Sequence, residues 1–204
     1  MSWHVVRVEE AAPRPWRNGG GVTRELLAWP TADDWAVRLS VADIAQDGPF
    51  SAFDGVDRWF GVLSGAGVWL GAPAIAVRAD GDPIRFAGES APACRLIDGA
   101  TRDLNLMLRR GRATGGLQRL RASTLPPFLL AKPIGSGTTR IEGLFTVSGG
   151  ELRSIGGLLC LPPMSLAWRM APAERAETTF APVDVSDATL VWHCGVTSAA
   201  GNTQ

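Results

Sequence analysis

The sequence has no tyrosine, only two histidines and only three cysteines, and its 20 basic and 20 acidic residues leave it with no formal net charge. Each shortage excludes something. His4 and His193 stand near opposite termini, and neither has a second histidine or a carboxylate at ligand spacing. A transition-metal site built on paired histidines is therefore not expected, and no carboxylate-dense loop offers a magnesium or calcium site. Two histidines also leave little room for a nucleophilic triad, and no serine lies in a G-x-S-x-G turn. The balanced charge and the lack of any lysine or arginine run argue against long-range attraction to nucleic acid or to an anionic membrane. Cys94, Cys160 and Cys194 are scattered and odd in number. They fit a reducing compartment rather than a disulfide framework, and the plain reading of each is a small buried hydrophobe. No run approaches the ~18 continuous apolar residues of a membrane span, and the N-terminus has no signal-peptide pattern, so the cytoplasm is the expected location.

What the sequence has instead is punctuation. Its 24 glycines and 14 prolines separate short apolar or alternating runs. These fall at 3–8, 25–29, 35–41, 59–63, 67–70, 74–78, 84–86, 93–96 and 104–109, and again at 128–130, 143–147, 158–161, 166–168 and 189–193. Short runs between turn signals predict an all-β sandwich or barrel. Two helical segments are expected: one turn within 40–47, and a short helix within 113–123, where Leu117, Leu120 and Arg121 have helical spacing although Gly115 and Gly116 weaken its start. The stretch 111–123 also reads as a connection, which divides the chain into lobes of residues 1–112 and 113–204. The polar tail 198–204 is expected to fray. Eight tryptophans read as filler of the core and of the junction between lobes.

Two strands carry the more informative pattern. In Val37-Arg38-Leu39-Ser40-Val41, Arg38 and Ser40 share one face. In Asp103 to Arg109, the leucines share one face while Asp103, Asn105, Met107 and Arg109 share the other. An antiparallel sheet with one wet face explains this as well as a lined concavity does. In a concavity, a guanidinium, a hydroxyl and an amide would form a donor set for a carboxylate, with Met107 as adaptable apolar contact. The Asp47–Arg58 segment is either a tight loop anchored by Phe50 and Phe53 or a pocket wall. The Asn18-Gly19-Gly20-Gly21 run invites a phosphate-cradle reading but lacks the following lysine, the dinucleotide spacing and the helix. Its simpler use is positive φ or close backbone approach.

Several segments together resemble the HutD/Ves family: Trp16 to Glu25, Trp35 to Ser40 followed by Asp43, Asp47 to Phe53, Gly55 to Arg58, Phe86 to Glu89, and Arg102 to Met107. They span roughly residues 16–110, and residues 111–204 are similar only loosely. Arg17 stands where lysine is usual in the family, so a planar fork replaces a point charge. The resemblance implies a double cupin (bicupin) of two β lobes without the cupin metal histidines, with no cofactor. It also implies an association with histidine utilisation, as a governor of flux that binds a small carboxylic acid such as urocanate or N-formylglutamate. On that reading Arg38 provides the fork for the ligand carboxylate, Ser40 and Asn105 give neutral hydrogen bonds, and Asp103 orients Arg38. Phe53, Met107 and Trp16 form an apolar wall, and Arg58 is held for a second carboxylate. No catalytic residue is assigned. Two other readings stay open: a metal-independent isomerase or hydrolase with Asp103 or Glu25 as base, and a partner-binding module forming a homodimer.

Overall fold

The computed structural model describes residues 2–120, 138–154, 156–170, 178–184 and 187–197. Among these residues the regular structure is strand, with two short 3-10 turns at Val8–Glu10 and Gly88–Ser90. In chain order the first eleven strands are β1 (His4–Arg7), β2 (Pro13–Pro15), β3 (Gly21–Trp29), β4 (Val37–Ile44), β5 (Gly48–Pro49), β6 (Val56–Ser64), β7 (Val68–Leu70), β8 (Ile75–Val77), β9 (Ile84–Ala87), β10 (Ala93–Leu96) and β11 (Thr101–Arg109). The remaining seven are β12 (Ala113–Arg119), β13 (Thr138–Thr146), β14 (Gly150–Ser154), β15 (Gly157–Leu161), β16 (Ser165–Met170), β17 (Thr179–Pro182) and β18 (Thr189–Thr197). The all-β expectation holds. No described helix is long and apolar enough to cross a membrane.

Two pairs of sheets form two lobes. In the first, a six-stranded sheet ordered β2-β3-β4-β11-β6-β9 faces a four-stranded sheet ordered β5-β10-β7-β8. Ile44, Phe60 and Val62 of the large sheet meet Val68, Leu70, Val77 and Cys94 of the small one in a shared core. In the second lobe a five-stranded sheet, β1-β16-β13-β18-β12, faces a three-stranded sheet, β15-β14-β17. Leu144, Ala167 and Val191 pack there on Leu152, Leu161 and Phe180. The first strand of the chain thus closes the edge of the second lobe's large sheet.

Alternation then decides how the lobes join. Every second residue of a strand faces the opposite side. Val37, Leu39 and Val41 of β4 and Leu104, Leu106 and Leu108 of β11 point away from the first lobe's interior. They pack against Phe145, Leu166, Leu190 and Trp192 of the five-stranded sheet. Full burial of each such side chain contributes about 1.5–3 kcal/mol. The back-to-back contact of the two large sheets is therefore the main apolar core, and Trp192 lies fully inside it with Trp29, Trp59 and Trp168 around it. Once those faces are committed, the intervening residues of β4 and β11 must line the interior of the first lobe.

Four expectations need correction. The helical turn at 40–47 is the end of β4, where small Ser40 and Ala42 pair with Asn105 and Asp103. The helix at 113–123 is β12 over its described part, pairing with β18 from Ala113↔Val196 to Arg119↔Leu190, so this segment is a sheet strand and not a connection. Gly115 is there because a Cβ would lie 2.1 Å from the His193 carbonyl oxygen, and only hydrogen permits so close an approach. Cys160, unlike buried Cys94 and Cys194, is exposed on β15, and all three are free thiols. The run at 128–130 and the tail 198–204 lie outside the described residues. Strands β2, β5, β14 and β17 have no counterpart in the sequence reading.

Candidate functional site

The interior face of the six-stranded sheet is ordered into transverse rows, because directly paired residues project to the same side. One row runs Ala28, Arg38, Met107, Arg58, Phe86 across β3, β4, β11, β6 and β9. The next runs Glu25, Ser40, Asn105, Phe60, Ile84. The third runs Arg14, Thr23, Ala42, Asp103, Val62, beginning on β2. A β-bulge between Glu25 and Leu27 keeps both Glu25 and Ala28 on this face while Leu27 turns to the inter-lobe core.

Over these rows lies a cavity of about 660 Å³, within the range of small-molecule sites. Its lining includes Arg38, Ser40, Asn105, Met107, Phe53, Arg58 and Trp16, which are seven of the eight residues singled out from the sequence. The eighth, Asp103, does not line it. The Asp47–Arg58 loop serves both of its suggested purposes, since Phe50 is buried in the first lobe's core and, with Phe53, also walls the cavity. Sequence reasoning did not select Arg14, Asn18, Thr23, Phe50 and Ser51, which also line it. The one signal for Arg14 was an arginine held between two prolines, which suits an edge strand.

Four arginines, Arg14, Arg17, Arg38 and Arg58, face this space, and among the described residues no carboxylate lines it. Each inner arginine is held differently. Arg38 donates from Nε to Glu25 Oε2 at 2.6 Å, and its Nη1 lies 3.8 Å from the Met107 sulfur. The expectation that Asp103 orients Arg38 is thus corrected: Arg38 sits in the Met107 row, two rows from Asp103, and Glu25 holds it instead. Arg58 is only 6 % exposed. Its Nε donates to Asn105 Oδ1 at 2.8 Å, and its guanidinium carbon lies 4.4 Å from the Phe50 ring centre and 5.4 Å from that of Phe86. No acceptor among the described residues takes its terminal nitrogens. Burial lowers its pKa to about 10, which leaves it cationic at neutral pH.

Asp103 lies beneath this floor, fully buried. Its Oδ1 accepts from Asn105 Nδ2, while Oδ2 has no partner among the described residues. Burial pushes its pKa up to about 8, against the pull of nearby Arg58. The neutral acid therefore predominates at pH 7. The chain Asp103, Asn105, Arg58 fixes the Asn105 amide with its oxygen toward the guanidinium, because the amide must donate downward and accept sideways.

The mouth is braced by Trp16 to Gly21. Trp16 Nε1 donates to Thr23 Oγ1 at 2.7 Å, and Gly20 N donates to Asn18 Oδ1 at 3.0 Å. Gly19 has φ +72°, and a Cβ on Gly21 would stand 2.4 Å from the Asp43 carbonyl oxygen. The glycine run thus supplies the turn and the close approach. Among the described residues, no group of three metal-ligating side chains gathers here or elsewhere.

The HutD family profile matches residues 8–149. The chain is 33% identical over 174 residues to an uncharacterised 21.2 kDa protein in the hutC 3′ region of Pseudomonas putida, covering 77% of this chain and 84% of that protein. It is 43% identical over 101 residues to protein Ves of Citrobacter koseri, covering 48% of this chain and 53% of Ves. Among solved structures, a conserved protein of unknown function from Pseudomonas aeruginosa PAO1 superposes with a TM-score of 0.75 at 25% identity, over 98% of this chain and all of that one. HutD from Pseudomonas fluorescens SBW25 superposes with a TM-score of 0.74 at 24% identity, over 97% and 100%.

Proposed function

The chain belongs to the HutD family, and from that premise we propose that it is a non-metal binding protein whose cavity takes a small carboxylic acid. The observation that carries this reading is the lining of four arginines with no lining carboxylate among the described residues. Arginine presents a planar fork that matches a carboxylate, and the bond strengthens where water is displaced. Arg38 and Arg58 form the charged floor. Asn105 and Ser40 add neutral hydrogen bonds, while Phe53, Met107 and Trp16 supply apolar surface. Asp103 acts from below, through Asn105.

Urocanate and N-formylglutamate are the acids we put forward. The role we assign is that of a cytoplasmic governor of histidine utilisation, in keeping with the hutC-region relative. A catalytic reading has less support, because Asp103 lies under the floor rather than at the cavity wall and Glu25 is engaged by Arg38. Calorimetric titration with both acids, alongside Arg38→Ala, tests the proposal. Saturable binding by the parent, lost in the variant, supports it. Equal affinity in Arg38→Ala would remove Arg38 from the site, and no heat with either acid would sink the reading.

A further inference from the structure

The four cavity arginines fall into two groups. Arg58 is buried and Arg38 half-buried, in the row that also holds Met107. Arg14 and Arg17 are exposed, one on edge strand β2 and one in the braced turn that follows it. Arg14 belongs to the row of Ala42, which lies four residue steps along β4 from Arg38. At 3.3 Å per residue the two backbone rows are about 13 Å apart. Both groups nevertheless line one cavity, on the order of 10 Å across for its volume. The charges therefore face each other from the inner end and the open end of a single short space.

The outer pair also has no charge partner among the described residues to compete with a ligand. Several other arginines are neutralised: Arg24 and Arg102 share Asp43, and Arg85 and Arg110 share Asp57. No carboxylate among the described residues pairs with Arg14 or Arg17. An acid with one carboxylate would satisfy the floor and leave these two guanidiniums facing an uncharged end.

Resting on the reading that the cavity binds an acid, we propose that its ligand class is the short dicarboxylates, with one carboxylate on Arg38 and Arg58 and the second on Arg14 and Arg17. The ligand's own length then selects among acids, because each end must reach its own pair. The outer end is solvent-exposed, so its contribution is smaller than that of the floor and is screened by salt.

The test compares each diacid with its own monoamide, which keeps size and shape but replaces one carboxylate by an uncharged amide. Succinate, glutarate and adipate are titrated at low salt against their monoamides. For the best-fitting length, the diacid is expected to bind about tenfold more tightly, beyond the factor of two that two equivalent ends confer. In the double variant Arg14→Gln, Arg17→Gln that ratio is expected to fall to about two. In Arg95→Gln, which removes an exposed arginine away from the cavity, it is expected to persist. A parent ratio near two at every length overturns the proposal while leaving the acid-binding reading standing. So does a ratio that survives in the double variant or disappears in Arg95→Gln. Absence of binding by all six compounds overturns the proposal, and absence of heat with urocanate and N-formylglutamate as well overturns both.

Discussion

Replacing Arg58 by methionine should separate binding from stability. In the folded protein Arg58 is 6 % exposed, and no carboxylate among the described residues is bonded to its guanidinium. Taking an unpaired cation out of water costs several kcal/mol, and Arg58→Met removes that cost. Against it stand the lost Nε bond to Asn105 at 2.8 Å, the stranded Asn105 oxygen at about 1–3 kcal/mol, and the ring contact with Phe50 at about 1–2 kcal/mol. Methionine fills similar volume among Phe50, Phe53 and Phe86 and keeps a sulfur–aromatic contact. The opposing contributions are of equal size, so the ligand-free protein should melt within about 4 °C of the parent, the shift expected for about 1 kcal/mol in a chain of this length. Binding has no such compensation. Truncating one partner of a buried charge pair costs about 2–4 kcal/mol, or about 30- to 1,000-fold in affinity. The assay is thermal unfolding with and without the acid, with calorimetry for the affinity. Affinity within threefold of the parent would refute the placement of Arg58 on the ligand. A fall in melting temperature beyond about 10 °C would show that Arg58 holds the lobe together.

Three further outcomes follow from the same geometry. Asp103 has its folded pKa raised to about 8 from an ordinary value near 3.8, so the fold binds its proton more tightly than the unfolded chain does. Stability should therefore fall as pH rises from about 4 to about 8 and level off above, and an anion on Arg58 should raise that pKa further, so that affinity falls as pH rises through 8. A flat affinity profile between pH 6 and 9, or one no flatter in Asp103→Asn, would contradict this. Leu106→Ala opens a void between the two large sheets, where Leu106 is fully buried. It should cost about 2–5 kcal/mol by denaturant unfolding, and a loss below 1 kcal/mol would mean that the sheets are not a common core. Gly21→Ala places a Cβ 2.4 Å from the Asp43 carbonyl oxygen and 3.0 Å from the Trp16 ring. It should lower both the melting temperature and the acid affinity, and an unchanged affinity would detach the glycine turn from the cavity.

How much of this was legible in the sequence depends on whether one strand or two are needed. The alternation in Asp103 to Arg109 needs only one, and it placed Asn105 and Met107 on the face that lines the cavity. Arg38 and Ser40 were legible for the same reason. The partner of Arg38 was not, because it depends on registry between β3 and β4 across a bulge at Leu26, which carries no local signal. The same registry sets Asp103 two rows away from Arg38 and below the floor. The segment 113–119 misled because Leu117, Leu120 and Arg121 imitate a helical face. By local propensity Gly115 and Gly116 only weaken a helix, whereas Gly115 marks close strand contact with β18. Arg14 escaped notice because its importance comes from pairing opposite Thr23, not from its neighbours in sequence.

The most direct test of the central claim is a crystal structure grown with saturating N-formylglutamate. The acid should lie inside the cavity, one carboxylate within hydrogen-bond distance of the Arg38 and Arg58 guanidiniums and close to Asn105, with the second toward Arg14 and Arg17. An empty cavity at saturating ligand, or the acid bound on another surface, would contradict it.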